Sequence, residues 1–406
     1  MAYLYGKKFV GPITPTILEI REELYNIPYS EIDWKKARDC CAKVYDGCQT
    51  WETAFIVQAI CSTGLVDEFS TTLEKAYGFL KNSQVLHDLP NGKSFYRHRS
   101  KGSWTLSTAD NGWSVPDCTG ETLQALLGLS KISPKLVGDP IKEKSLYDAV
   151  DCLLSFSIAL LEYRPLSDKV FFDSGKIMKK SPSILAYYDY VCTYMNVIDN
   201  TDSEGLQRVF GTLSLIIQLY PGYRGVEIES CIKNAVMFIE NKQQNDGSWY
   251  AKFNARYGTW GICFTYGAFF AIRGLIAAGR NYENSQAIRN GCKFLLSKQL
   301  SAGGWGEHYS SSEIEVYVDT GSPHAVNTSL AMLTLLYSGQ IERDPTPLYC
   351  AAKQLISMQL ETGEFPQQEH VGCFNSSLYF NYPNYRNLYP IWALGEFWHR
   401  LVASKD

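Results

Sequence analysis

The run Trp113-Ser114-Val115-Pro116-Asp117-Cys118-Thr119-Gly120-Glu121 places a carboxylic acid between a proline and a thiol. An acid held in dry, apolar surroundings keeps its proton, because burial disfavours the charged form. The same spacing also fits a helix start, with Asp117 after Pro116 as the N-cap and Glu121 in the first turn. A second run, Gly258-Thr259-Trp260-Gly261-Ile262-Cys263-Phe264-Thr265-Tyr266-Gly267, brings together Trp260, Cys263, Phe264 and Tyr266. It reads either as the core face of a starting helix or as part of a site. An acid, a group that sharpens it and aromatic faces are what proton-initiated chemistry on an apolar substrate needs. Aromatic faces attract cations by about 0.5–2 kcal/mol each and offer no nucleophile. No Asp-Asp-x-x-Asp cluster is present to bind magnesium, and the six histidines are scattered, so no metal and no cofactor are expected. His324, in Gly321-Ser322-Pro323-His324, reads as a helix-start residue.

The elements that must position these residues show themselves as a repeat. Phe238, Gln243, Gly247 and Trp249 return as Phe294, Gln299, Gly303 and Trp305, with every internal spacing kept after a shift of 56 residues. A third copy has Gln359, Gly363 and Phe365, and a degenerate one begins at Phe79 to Gln84. Each unit reads as a helix, a glycine turn that places an aromatic ring, and a second helix. Helix pairs repeating in this way imply an all-α fold, an α/α toroid in which each unit buries its apolar face against its neighbours. In this reading the glutamine ties a helix end to the next turn, with the tryptophan stacked beside it.

The chain has 406 residues, 45% hydrophobic and 20% charged, enough to bury a large core. The net charge of −4, without a basic run, removes the electrostatic footprint of a nucleic-acid binder. Aromatic residues reach 14%, with 27 Tyr, 19 Phe and 9 Trp. The 12 cysteines form no C-x-x-C pair, which argues against a zinc site or a disulfide framework and for a thiol-reduced, intracellular chain. The most apolar window, Gly261 to Gly279, is broken by Arg273 and reads as a buried helix rather than a membrane span.

These motifs together resemble the oxidosqualene cyclases, the triterpene and sterol synthases. The resemblance rests on DCTGE at Asp117–Glu121, GTWGICFTYG at Gly258–Gly267, LYGKKFVGPITPT at Leu4–Thr16, PIWALGEFWHR at Pro390–Arg400 and the repeats, the family's QW motif. The wording is most similar to plant members. The resemblance implies that Asp117 protonates the epoxide of 2,3-oxidosqualene and that Cys118 and Cys263 hydrogen-bond that acid. It also implies that Trp51, Trp260, Phe264, Tyr266, Trp305 and Phe374 stand at or beside the cavity. Gln243, Trp249, Gln299, Trp305 and Gln359 are structural in it. The implied product is a cyclic triterpene alcohol such as beta-amyrin or cycloartenol, formed without metal. Because the substrate is a water-insoluble C30 epoxide, the resemblance implies a monotopic protein on the endoplasmic reticulum or a lipid droplet.

Relative to the family, residues 1–44 are expected to be a remnant of the N-terminal barrel with its connecting segment. Residues 45–406 are expected to form the C-terminal α/α-barrel cyclase domain, with an aberrant segment at 156–205 and the second barrel largely missing. The alternative is a catalytically dead remnant, an α/α barrel that binds apolar lipid. A zinc-dependent prenyltransferase-like toroid would need a spaced Asp-x-Cys pair, whereas Asp117 and Cys118 are adjacent.

Overall fold

A computed structural model describes residues 11–25, 27–33, 47–90, 99–112, 114–133, 135, 139–162, 213, 216, 218–220, 222–249, 263–374 and 378–403, with 156–162 as backbone alone. In chain order its helices are α1 (Pro15–Leu24), α2 (Gln49–Thr63), α3 (Ser70–Asn82), α4 (Pro116–Ile132), α5 (Glu143–Glu162) and α6 (Gly225–Lys242). There follow α7 (Cys263–Ala277), α8 (Gln286–Ser297), α9 (Ser311–Ile314), α10 (Ala325–Tyr337), α11 (Gln340–Arg343), α12 (Thr346–Met358) and α13 (Pro383–Ala403).

Burial sorts the long helices into two layers. In α10 every residue from Ala325 to Leu336 is buried, and in α7 Arg273 alone breaks the buried run from Cys263 to Leu275. A helix apolar on all sides must be enclosed by protein. By contrast α8 buries only Ala287, Ile288, Gly291, Cys292, Phe294 and Leu295, an i, i+3, i+4, i+7 stripe that suits an outer layer. The inner helices follow one another by contact: α4 on α2, α2 on α13, α13 on α10 and α10 on α7. Outer helices sit between them, α3 on α2 and α4, α8 on α7 and α10, and α12 on α10 and α13. This is the expected α/α toroid. Beyond helices, the described residues include one small antiparallel hairpin, β1 (Gly372–Phe374) with β2 (Leu378–Phe380), which the all-α expectation did not contain.

The repeat has one bonding pattern. Gln243 Nε2 donates to the Gly247 carbonyl (3.0 Å) and to Ala287 O at the start of the next outer helix (2.8 Å). Gln299 Nε2 does the same to Gly303 O (2.7 Å) and Pro347 O (2.9 Å). Gln359 keeps the first of these bonds, to Gly363 O at 2.9 Å. The indole of Trp249 donates to Ile239 O (2.9 Å) and that of Trp305 to Leu295 O (2.7 Å), four residues before each glutamine. The degenerate copy is in fact complete. Gln84 donates to Gly102 O (2.9 Å) and Ser145 O (2.8 Å), and Trp104 donates to Leu80 O (2.7 Å). An insertion between Gln84 and Gly102 hides this copy from a search at fixed spacing.

The motif's glycine is required twice over. Gly303 has φ +94°, and a Cβ there would come within 2.8 Å of the Cys350 backbone oxygen on α12. Gln243 and Gln299 thus each tie one outer helix to the next, and the turn glycines beside them, Gly247 and Gly303, leave no room for a side chain. Gln299→Ala is expected to cost about 1–3 kcal/mol, because the Gly303 and Pro347 carbonyls lose their donor. A fall in the denaturant midpoint without loss of helical signal checks this.

Candidate active site

The inner helices begin on one face of the barrel. Trp51, in the first turn of α2, donates its indole N–H to the hydroxyl of Tyr385 in the first turn of α13 (3.1 Å). Glu307 holds the first turn of α7 through its carboxylate and that of α10 through its carbonyl, which accepts from Asn327 Nδ2 at 3.0 Å. Cys118 of α4 lies close enough to Tyr382 to act electrostatically on its phenol. Asp117 is therefore on the face where five helix N-termini meet.

Asp117 is half-buried in the first turn of α4, behind Pro116; Val115 is the N-cap, so Asp117 stands inside the helix rather than capping it as the sequence alone suggested. The partial positive charge at a helix N-terminus favours a carboxylate there, so it stabilises what Asp117 becomes once its proton is given up. Cys118 and Cys263 are both fully buried, in the first turns of α4 and α7. The Cys263 thiol is pushed well up, first by burial and then by the charge and hydrogen bond of the Glu307 carboxylate beside it. It therefore stays a protonated S–H. Tyr382 is likewise pushed up, mainly by burial, with Cys48, Glu52 and Cys118 adding to the effect.

A continuous aromatic wall runs down from this face. Trp51 meets Phe55 edge to face at 4.7 Å, and Phe55 lies 6.3, 6.0 and 6.2 Å from Tyr385, Tyr389 and Trp392. Phe269 joins Tyr389 (6.2 Å) and Phe270 (4.8 Å), and Phe270 joins Tyr266 (4.7 Å). Of the aromatic residues singled out in the sequence, the wall contains Trp51 and Tyr266. Phe264 instead faces Phe294 of α8 (6.3 Å) and Tyr317 (6.1 Å). Trp305 occupies its QW seat against α8. Phe374 pairs with Leu378 in the hairpin. Trp260 lies outside the described residues, as do nearly all of 156–205 and the junction at 34–46.

Sequence reasoning missed Phe55, Tyr382, Tyr385, Tyr389 and Trp392. The signal was present: 385, 389 and 392 follow helical spacing along one face of α13, and Tyr382 lies just before its first turn. It also missed the polar floor below the wall. Arg273 donates to Gln58 Oε1 (3.1 Å) and Gln124 Oε1 (2.9 Å) and faces Glu121 Oε1 at 3.5 Å. Gln58 Nε2 donates to the other Glu121 oxygen at 2.7 Å, and the Arg273 guanidinium lies 5.2 Å from the Trp392 ring. Beneath it, a cavity of about 420 Å³ opens between the C-terminal halves of the inner helices, lined by Gln58, Arg273, Tyr337, Trp392 and Glu396 among others.

His324 is the N-cap of α10, as read from the sequence. Its Nδ1 accepts from Val326 N (3.2 Å), so its proton sits on Nε2, 3.3 Å from the Glu369 carbonyl. Burial lowers its pKa to about 4, below the 6.5 of a free imidazole. The folded chain thus holds His324 neutral, whereas the unfolded chain protonates it below about 6.5. Its contribution is intact above pH 6.5 and is lost as pH falls toward 4, by about 3 kcal/mol in all. Comparing unfolding midpoints at pH 7 and pH 4.5 in wild type and His324→Asn should show this slope flattened in the variant.

Comparison with known proteins identifies the fold and its lineage. A family described as Squalene-hopene cyclase C-terminal domain matches residues 195–399, just over half of the chain. The chain belongs to the squalene-hopene and oxidosqualene cyclase family. Alpha-onocerin synthase of Lycopodium clavatum is 39% identical over 369 residues, covering 90% of this chain and 46% of that protein. Lanosterol synthase of Aspergillus fumigatus is 36% identical over 393 residues, covering 95% and 48%. The chain spans about half the length of these curated relatives. A solved structure of the type II terpene cyclase MstE from Scytonema shares the fold, with a TM-score of 0.51 at 13% identity over 86% of this chain and 87% of that one. The QW seats thus belong to a barrel of this family, and the aromatic wall descends from the face on which Asp117 lies.

Proposed function

We propose that this chain acts as a triterpene cyclase in which Asp117 protonates the epoxide of 2,3-oxidosqualene. The observation that carries the reading is the placement of Asp117 in the first turn of α4, on the face where the inner helices begin and from which the Trp51-to-Tyr266 aromatic wall descends. The proton passes to the epoxide oxygen, the C–O bond breaks, and the neighbouring double bond supplies the electron pair that closes the first ring. The resulting cation migrates along the folded chain until a proton is lost, so the product is an isomer of the substrate. Rings of the wall hold the moving charge by about 0.5–2 kcal/mol each without trapping it. Fully buried Cys118 and Cys263 supply S–H donors rather than thiolates, and so support the acid without intercepting the cation. The reaction draws on no metal and no cofactor.

A cyclic triterpene alcohol such as beta-amyrin or cycloartenol fits this chemistry, in a plant-type setting. A neutral C30 epoxide partitions into lipid, which supports an intracellular, monotopic protein on the endoplasmic reticulum or a lipid droplet. Among the described residues no helix is long and apolar enough to cross a membrane. Expressing the 406-residue chain in a yeast that accumulates oxidosqualene, with triterpenes profiled by mass spectrometry, tests the proposal. A new cyclic alcohol supports it and names the product. Folded protein with no product favours the alternative, a non-catalytic barrel that binds apolar lipid.

A further inference from the structure

The cavity beneath the polar floor stands apart from the acid. Asp117 lies in the first turn of α4 and Gly128 near its far end, so the two are roughly 16 Å apart along the helix axis. At about 420 Å³ the cavity has the size of a small-molecule site. Its apolar lining comes from Val57 of α2 and from Ala125, Leu129 and Ile132 of α4. Tyr337, at the end of α10, and Glu396 of α13 add a phenol and a carboxylate.

Gly128 sets the width of this space. It lies inside α4 without a positive φ, and a Cβ built on it meets nothing within 4 Å. Glycine inside a helix is destabilising relative to alanine, because it loses more backbone freedom on folding. Neither a turn nor a close neighbour calls for glycine here. What its missing side chain provides is open volume in the cavity.

The polar groups around that volume are unequally satisfied. Arg273, Gln58 and Gln124 bond one another and Glu121. Glu396 is half-buried and, among the described residues, accepts one hydrogen bond, a long one of 3.4 Å from the Tyr337 hydroxyl. Burial and then the Glu396 charge push the Tyr337 phenol up, so it stays a donor. Arg273 is offset by Glu121, and Arg400, which lies over the Tyr337 ring, faces Glu342 at 4.0 Å. Glu396 therefore leaves the cavity with a net negative charge and a carboxylate short of donors. The Arg273 guanidinium already sits on the Trp392 ring, so an incoming cation falls to the carboxylate rather than to that aromatic face.

We propose that this cavity binds a small organic ammonium ion with an apolar body, its N–H donors on Glu396 and its body against Leu129, Ile132 and the open side of Gly128. The site does not depend on the reading of Asp117 as an acid.

Calorimetric titration of the whole chain with octylammonium, octanol and octanoate, each below its micellar concentration, compares one apolar body under three head groups. Octylammonium is expected to bind saturably and about tenfold or more tighter than octanol, with octanoate not binding. Gly128→Leu fills the space and should abolish this binding, while helix content and the unfolding midpoint stay at or above wild type. Glu396→Gln keeps the shape and should weaken octylammonium about tenfold, leaving octanol unchanged. Asp117→Asn should leave all three titrations unchanged. Octanoate binding as tightly as octylammonium, or no binding of octylammonium, overturns the proposal. So does octylammonium binding that survives both Gly128→Leu and Glu396→Gln; its loss in Asp117→Asn would then place the amine on the acid face. Should Gly128→Leu fail to fold, the Glu396→Gln titration decides alone. A blocked lysine, acetylated on its α-nitrogen and amidated, carries the same charge without the apolar body and should bind far more weakly. Equal binding of that compound would make a peptide the ligand and overturn the assignment to a free amine.

Discussion

Asp117→Asn should abolish cyclisation while leaving the far-ultraviolet spectrum and the unfolding midpoint close to wild type. An amide has no acidic proton to give, and general acid catalysis is worth about 10²- to 10⁴-fold where the acid is positioned. Losing initiation also removes every later ring closure, so no partly cyclised product should accumulate. The fold should tolerate the change because Asp117 is half-buried in the opening turn of α4, and asparagine serves well near a helix start. Product formation from oxidosqualene by the variant, at even a tenth of the wild-type rate, would require a different proton donor.

The second large effect is on stability and lies at Arg273. Its guanidinium links α7 to Gln58 of α2 and to Gln124 and Glu121 of α4, and Glu121 is fully buried. Arg273→Met keeps the length of the side chain against Trp392 but removes the cation beside the Glu121 carboxylate. Breaking a buried pair by removing one partner typically costs about 3–5 kcal/mol. The double variant Arg273→Met/Glu121→Gln should recover most of that loss, because a neutral amide no longer needs the cation. Denaturant midpoints of the two single variants and the double variant measure the coupling. Additive losses would show that the two side chains act independently.

These two residues mark the limits of what the chain reveals before it is folded. Gln243, Gln299 and their tryptophans were legible because a repeat with fixed spacing is a local signal, and the structure gives each the same two bonds. The copy at Gln84 was half-legible, since its glycine and tryptophan come only after an insertion. Asp117 stood out through its neighbours. Arg273 read only as an interruption of an apolar stretch, because its partners lie about 150 and 215 positions away and nothing local announces them. Glu307 was hidden for the same reason: the donors it caps precede it by more than 40 residues. The tyrosines of α13 were legible in principle as a helical stripe. Phe264 and Trp305 stand in more conspicuous motifs, yet the structure places their rings against α8.

The most direct test gives the purified chain two substrates in detergent micelles, 2,3-oxidosqualene and squalene, and follows both by mass spectrometry. An acid poised for an epoxide predicts that oxidosqualene is converted to a cyclic alcohol of unchanged mass and that squalene is left intact. Oxidosqualene recovered unchanged from folded, monodisperse protein would contradict the account, and equal conversion of both substrates would contradict the role given to the epoxide.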